Sequence, residues 1–366
     1  MSRLLRLDAL RGLAVLLVMV HHGAPDLAPG SGVVGVVVFF TLSGHLITAL
    51  LLRELDATGR IRLRSFYRRR AVRLLPAFLA FVTVFAAVTY FLDPLHERSA
   101  LPRALAIALT YTADLPILHG SNAIFHLWTL AVEQQFYLLW PPLLAYAWQR
   151  HGAGRLVTAG IAALSLAAVG ITLHLGHNFD LAYPWPTSWS ATMLIGAAHA
   201  IATHHRRSRH GRPAPTRLHA DTPLAAMTTA AAPIAVLLLV AAGFVPWRAH
   251  PITYPWGGLA LAALTLVVLD RYTKDTSPAG RTLVTLARLG TISYAAYLWN
   301  YPLTLWLRPW HPAAGPALAA ALTLVCATLS WFLVERPIAL RWSRSGALSG
   351  ARHAAPSVNQ GRCRES

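Results

Sequence analysis

The chain has 366 residues, 55% of them hydrophobic and only 13% charged, with a mean hydropathy of +0.47. A water-soluble domain carries about twice that share of charge, so a soluble globular fold is excluded in favour of one solvated by a bilayer. The net charge of +18 does not point to nucleic acid, because the basic residues sit in short stretches between apolar runs, as in cytoplasmic loops.

In chain order, the sequence opens on a basic segment, Met1 to Arg11, ahead of an apolar run. Ala24-Pro25-Asp26 is a poor cleavage site, so a retained first helix is expected rather than a signal peptide. Apolar spans follow at roughly 8–23, 32–52, 74–92, 127–148, 156–175, 187–203, 224–245, 257–270, 283–307 and 315–334. The stretch 104–118 is interrupted by Tyr111, Asp114 and Pro116, and reads as a short outer-face or re-entrant segment.

Charge placement tests this drawing. With the N-terminus inside, 28 of the 32 Lys and Arg residues fall on the inner side, and only Arg98, Arg103, Arg248 and Arg308 fall outside. An eleventh span at 104–118 would scatter them on both sides. The expected fold is therefore an all-α integral membrane bundle of about ten transmembrane helices with both termini cytoplasmic. Residues 1–338 form the membrane domain and 339–366 a basic, disordered cytoplasmic tail. Tyr183-Pro184-Trp185-Pro186 and Tyr254-Pro255-Trp256 fit outer interface loops. Cys326 lies in an apolar span and Cys363 in the tail, so neither a disulfide framework nor a metal site is indicated.

Several polar residues within these spans are functional candidates. Arg11 and His22 are eleven residues apart, which is about 20° past three full turns and about 16 Å along a helix axis, so both project from one face. Ionisable residues aligned inside a membrane helix are costly and mark functional sites by default. The alternative is an inner-face anchor at Arg11 and an interfacial residue at His22. Ser43-Gly44 on the second helix suits close helix packing, with His45 beside it as a satisfied core histidine.

The segment before the third span holds Arg69, Arg70 and Arg73, which share a face if helical. Guanidiniums at a cytoplasmic mouth suit a polyanion such as the phosphates of CoA, and an ordinary positive-inside loop is the alternative. Glu133, Phe136 and Tyr137 share a face of the fourth span, with Glu133 in its outer part at a depth similar to His22. A His and a Glu so placed would serve as base and orienter.

Taken together, these segments resemble acyltransferase family 3, the membrane-bound O-acyltransferases acting on cell-surface polysaccharides and some secondary metabolites. The matching segments are Leu7-Asp8-Ala9-Leu10-Arg11-Gly12-Leu13-Ala14 with His22, Gly35 to Gly44, and Arg69-Arg70-Ala71-Val72-Arg73-Leu74-Leu75-Pro76. Further along are Trp128 to Trp140, Ile292-Ser293-Tyr294 with Tyr297-Leu298-Trp299, and Leu329-Ser330-Trp331 with Glu335-Arg336-Pro337. They occur in family order from about residue 5 to 338.

The resemblance implies an acyl-CoA donor inside the cell, acetyl-CoA by default, with His22 as the catalytic residue. Arg11, Arg69, Arg70 and Arg73 would serve the donor, and Glu133 falls at the family's Glu-x-x-Phe-Tyr. The sequence departs from the pattern at His45, where an aromatic is usual, and at Asn300, where Leu-Trp-His is usual. No hydrolase-like soluble domain is visible, so the membrane domain is expected to act alone or with a partner. The expected partners are the lipid bilayer, acyl-CoA and a hydroxyl-bearing acceptor, either a surface polysaccharide or lipid-linked glycan, or a small natural product such as a macrolide. A small transporter or flippase using Arg11, Glu133 and His22 as a polar pathway is the competing class, although no inverted repeat stands out.

Overall fold

The computed structural model describes residues 2–115, 120–175, 179–210, 223–250, 253–254, 256–275, 277–309 and 314–342. Every regular element among them is helical. The helices are α1 (Ser2–Gly23), α2 (Ser31–Thr58), α3 (Leu63–Phe91), α4 (Leu101–Thr110), α5 (Trp128–Gln149), α6 (Ala153–Leu175) and α7 (Phe179–Ala182). They continue as α8 (Pro186–His210), α9 (Pro223–Ala242), α10 (Gly257–Lys274), α11 (Arg281–Thr291), α12 (Ser293–Leu307) and α13 (Gly315–Ser330). A π turn, Trp331–Glu335, carries the last helix on to Trp342.

Four of these are long and apolar enough to cross a membrane by length and composition: α2, α3, α6 and the helix Gly315–Trp342. The apolar stretches of the sequence all fall on helices, with three differences. First, α3 begins at Leu63, eleven residues before the expected span, so Arg68, Arg69, Arg70 and Arg73 stand on helical turns and not in a loop. A left-handed Gly59 (φ 67°) closes α2 and sets the sharp entry into α3.

Second, the expected single span 283–307 is two helices broken at Ile292. Arg281, Thr285 and Arg288 keep one side of α11 exposed while Ala287 and Gly290 are buried, so α11 is amphipathic. Along α12, in contrast, Ser293, Ala296, Tyr297, Asn300 and Thr304 are all buried. Leu, Val and Ala dilute both arginines in a hydropathy window, which hides the break. Third, residue 338, expected as the end of the membrane domain, lies inside the last helix; 343–366 lie outside the described residues. The 104–118 stretch holds only the ten-residue α4 and its exit, with 116–118 outside the described residues.

Two glycine pairs set how closely the helices around the site approach. A Cβ on Gly12 would stand 1.9 Å from the Leu286 carbonyl oxygen, and one on Gly290 would stand 1.8 Å from that of Asp8, so α1 and α11 cross backbone to backbone. Gly44 and Gly196 do the same for α2 and α8, with a Cβ at 1.9 Å from Met193 and 2.1 Å from Thr41 oxygens. Gly44 thus carries the packing role read for Ser43-Gly44. The start of α1 is pinned by Arg6, which is buried, reaches Asp275 at 3.4 Å and donates to Ser277 at 2.8 and 2.9 Å.

Candidate active site

A cavity of about 110 Å³ lies between α1, α2, α3, α5 and α12. Its polar lining includes Arg11, Ser43, Arg70, Arg73, Glu133 and Tyr137, with Tyr294 and Tyr297 from α12. Phe39, Phe40, Leu46 and Leu130 supply apolar wall. Three guanidiniums therefore face one carboxylate, and the lining carries a net charge of about two positive. Such a recess favours a multiply charged anion near its mouth and an apolar or weakly polar group deeper in.

Glu133 anchors the polar wall. The Ser43 hydroxyl donates to its Oε1, and the Tyr137 hydroxyl donates to the same oxygen at 2.5 Å. The Arg70 guanidinium lies over the Tyr137 ring, 5.2 Å from its centroid. Glu133 and Tyr137 meet because residues four apart on a helix share a face. Ser43, read from sequence as a packing residue, instead points its hydroxyl into the cavity, and its neighbour Gly44 faces α8.

The structure also narrows the expected set of Arg11, Arg69, Arg70 and Arg73 to three. Arg70 and Arg73 line the cavity, and Arg11 supplies the third guanidinium. Arg69 turns outward, donating to Ser65 at 2.6 Å and pairing with Glu54 at 3.1 Å. A one-residue step of 100° separates its side chain from that of Arg70. The cavity also joins Glu133 to the arginines from which the sequence reading kept it apart.

His22 lies further along the face of α1 that carries Arg11, and is not part of the cavity lining. The expected pairing of His22 with Glu133 is not formed. His22 Nδ1 instead lies 2.7 Å from Asn300 Oδ1, and the Asn300 nitrogen reaches Thr323 Oγ1 on α13 at 3.2 Å. Glu133 is occupied by Ser43 and Tyr137. Asn300, a departure from the family pattern, thus becomes the polar partner of His22. Arg308 donates to the His22 carbonyl oxygen at 3.0 Å, and the Tyr301 ring meets the imidazole edge-on at 4.8 Å.

The cavity wall on the side of α12 carries a buried hydrogen-bonded group. The Tyr297 hydroxyl donates to the His126 carbonyl at 3.0 Å and lies 2.6 Å from the Thr129 hydroxyl. His126 packs against Tyr301 with ring centroids 5.2 Å apart, and Tyr301 in turn meets His22. Ser293, Tyr297, Asn300 and Thr304 recur at helical spacing, so one face of α12 runs from the cavity to His22. That spacing was legible in the sequence; its partners on α1, α5 and α13 were not. His45, read as a satisfied core histidine, is buried and lies 3.1 Å from His199 Nδ1 on α8, facing away from this site.

Comparison with known proteins supplies the frame for this geometry. The acyltransferase 3 family model, described as an acyltransferase domain, matches residues 4–336. The chain belongs to the acyltransferase 3 family. It is 29% identical, over 93% of its length, to the putative peptidoglycan O-acetyltransferase YrhL of Bacillus subtilis. It is 27% identical, over 91% of its length, to the peptidoglycan O-acetyltransferase OatA of Listeria monocytogenes. A putative O-acetyltransferase of Staphylococcus aureus, SAR0937, is 26% identical over 93% of the chain. The matches take in 55%, 55% and 59% of these relatives, so the chain spans little more than half their length. No solved structure matches the chain. The acyltransferase 3 match contains every residue of the cavity and of the His22 group, from Arg11 to Thr323.

Proposed function

We propose that this chain is a multi-pass membrane O-acyltransferase moving an acyl group, acetyl by default, from acyl-CoA to a hydroxyl of a sugar-containing acceptor. Surface polysaccharide or lipid-linked glycan is the acceptor class, and the peptidoglycan named for its relatives falls within it. The topology we infer has about ten spans with both termini cytoplasmic, supported by 28 of 32 basic residues falling on one side. That side is the side of a cytosolic donor.

The observation that carries the reading is the sequence of chemistry along α1 and α12: a cavity with a net positive lining, then a histidine hydrogen-bonded through an amide. CoA phosphates would sit at Arg11, Arg70 and Arg73, with the pantetheine arm running along α1 for about 16 Å toward His22. There His22 takes the proton of the acceptor hydroxyl as its oxygen attacks the thioester carbonyl. The carbon–sulfur bond breaks, and the imidazolium returns the proton to the departing thiolate. One ester and one thiol result, with no other reactant required.

The test is transfer of label from acetyl-CoA, in membranes containing the full chain, to a panel of glycans and small hydroxylated acceptors. Label should accumulate on a glycan and be released by mild base as acetate. Label that reaches only small lipophilic alcohols would overturn the acceptor class, and no transfer from any acyl-CoA would overturn the donor.

A further inference from the structure

In a neutral imidazole one ring nitrogen carries a proton and the other offers a lone pair, and the partner of the first decides the role of the second. Around His22 the partners run outward from the ring through Asn300 to Thr323 on α13. Thr323 donates its one hydroxyl proton to the Ala319 carbonyl, a turn back on α13, at 2.7 Å. Its oxygen is left to accept, and the group that meets it at 3.2 Å is the side-chain nitrogen of Asn300. The Asn300 amide is thereby turned with its oxygen toward His22 Nδ1, 2.7 Å away. An amide oxygen only accepts, so Nδ1 carries the imidazole proton and Nε2 keeps the lone pair.

We propose that Asn300 and Thr323 are positioning residues that hold His22 in the Nδ1–H tautomer and aim Nε2 at the acceptor hydroxyl. This rests on the reading of His22 as the base in acyl transfer. Both residues are buried, Asn300 at 2% and Thr323 at 0% exposure, so bulk water does not stand in for either when it is removed. The backbone of His22 is held separately by Arg308, just past the end of α12, which leaves the side-chain amide to set only the ring. An amide, unlike a carboxylate, orients the ring without adding a negative charge that would keep a proton on Nε2. The arrangement suits a base that must be unprotonated before the acceptor arrives.

The experiment compares Asn300→Leu, Asn300→Asp, Thr323→Val and Thr323→Ser with the wild-type chain and with His22→Ala, all full length and in membranes. For each, kcat, the KM for acyl-CoA and the pH–rate profile are measured, with yield and detergent elution as folding controls. Asn300→Leu should lower kcat by about a hundredfold, since a base in the wrong tautomer loses orders of magnitude, while the acyl-CoA KM stays within about twofold. Thr323→Val, which frees the amide to turn over, should cost about tenfold in kcat, and Thr323→Ser should recover most of it. Asn300→Asp should move the acid limb of the profile to higher pH by about one unit or more, because a carboxylate beside Nδ1 holds a proton on the ring. A merely structural role would not move that limb. An active wild type and an inactive His22→Ala, together with an unmoved profile in Asn300→Asp and near-normal kcat in Asn300→Leu, would overturn the positioning role alone. A loss in Thr323→Ser as large as that in Thr323→Val would overturn it too. A wild type with no acyl transfer, or a fully active His22→Ala, would instead overturn the reading on which the proposal rests.

Discussion

Around Arg11 the cavity lining gathers three guanidiniums and one carboxylate, and Asp8, one turn back on α1, lies 3.9 Å from the Arg11 guanidinium. Around the His22 ring, about 16 Å further along the same helix face, the chain gathers an amide, a hydroxyl behind it, and the rings of His21 and Tyr301. No carboxylate touches that ring among the described residues. On the proposed reading, the contrast would separate recognition from chemistry by electrostatic means. Fixed charge within a membrane protein is costly unless it lines a cavity or meets a counter-charge, and the cavity offers both through its mouth and Glu133. A base works best uncharged at rest, and hydrogen bonds orient it at far lower electrostatic cost. Ligand binding and proton transfer should therefore respond to different mutations.

The sharpest way to break that comparison is at His22. His22→Ala should lower turnover by about a hundredfold or more, the scale of general base catalysis, with the acyl-CoA KM nearly unchanged. His21→Ala should cost far less, because the neighbouring residue projects about 100° away on the helix and has no bond to Asn300. Turnover in a well-expressed His22→Ala variant within a few fold of wild type would place the chemistry elsewhere. An equal loss of donor affinity would show that the two regions are not separate.

Much of this architecture is legible in the sequence. Apolar runs flanked by arginines located nearly every helix, because in a bilayer backbone groups must pair internally and charge must stay near an interface. Within each helix, spacing also told which polar residues share a face: Arg11 with His22, Arg70 with Arg73, Glu133 with Tyr137; Arg69, read onto the same face as Arg70 and Arg73, turns outward. What it could not supply was the pairing across helices. Ser43 read as packing because small residues usually pack, yet Gly44 takes that part and Ser43 bonds Glu133. Asn300 read only as a departure from a pattern, because its partners lie on α1 and α13. The break at Ile292 was hidden because hydropathy averages over a window wider than one helical turn.

A smaller effect is expected at the cavity. Arg70→Ala and Arg73→Ala should each remove a charge-assisted contact worth about 1.5–3 kcal/mol, a roughly ten- to hundredfold weaker acyl-CoA affinity. Turnover at saturating donor should change little. The deficit should shrink as salt rises, and Lys should restore it only in part, since a point charge does not reproduce a guanidinium fork on phosphate. Full rescue by Lys, or unchanged donor affinity, would reduce these arginines to topology signals and remove the main physical argument for a CoA donor.

The smallest effect is expected at Arg69, and it tests whether geometry or overall charge matters. Arg69 belongs to the same basic turn as Arg70 and Arg73 and carries the same charge, but its guanidinium is spent on Glu54 at 3.1 Å and Ser65 at 2.6 Å outside the cavity. Glu54 also accepts from the Arg62 backbone N–H at 3.0 Å, so this group ties the end of α2 to the start of α3. A half-exposed ion pair of this kind contributes about 0–1 kcal/mol. Arg69→Ala should therefore shift acyl-CoA affinity by less than about threefold, within the range long-range charge alone would give. If Arg69→Ala and Arg73→Ala weakened the donor equally and with the same salt dependence, the donor would be sensing a diffuse positive field over the whole turn. The cavity would then lose its standing as a binding site. A tenfold or greater difference between them would require a donor that touches one guanidinium and not the other, and only a site with the shape of the cavity makes that distinction.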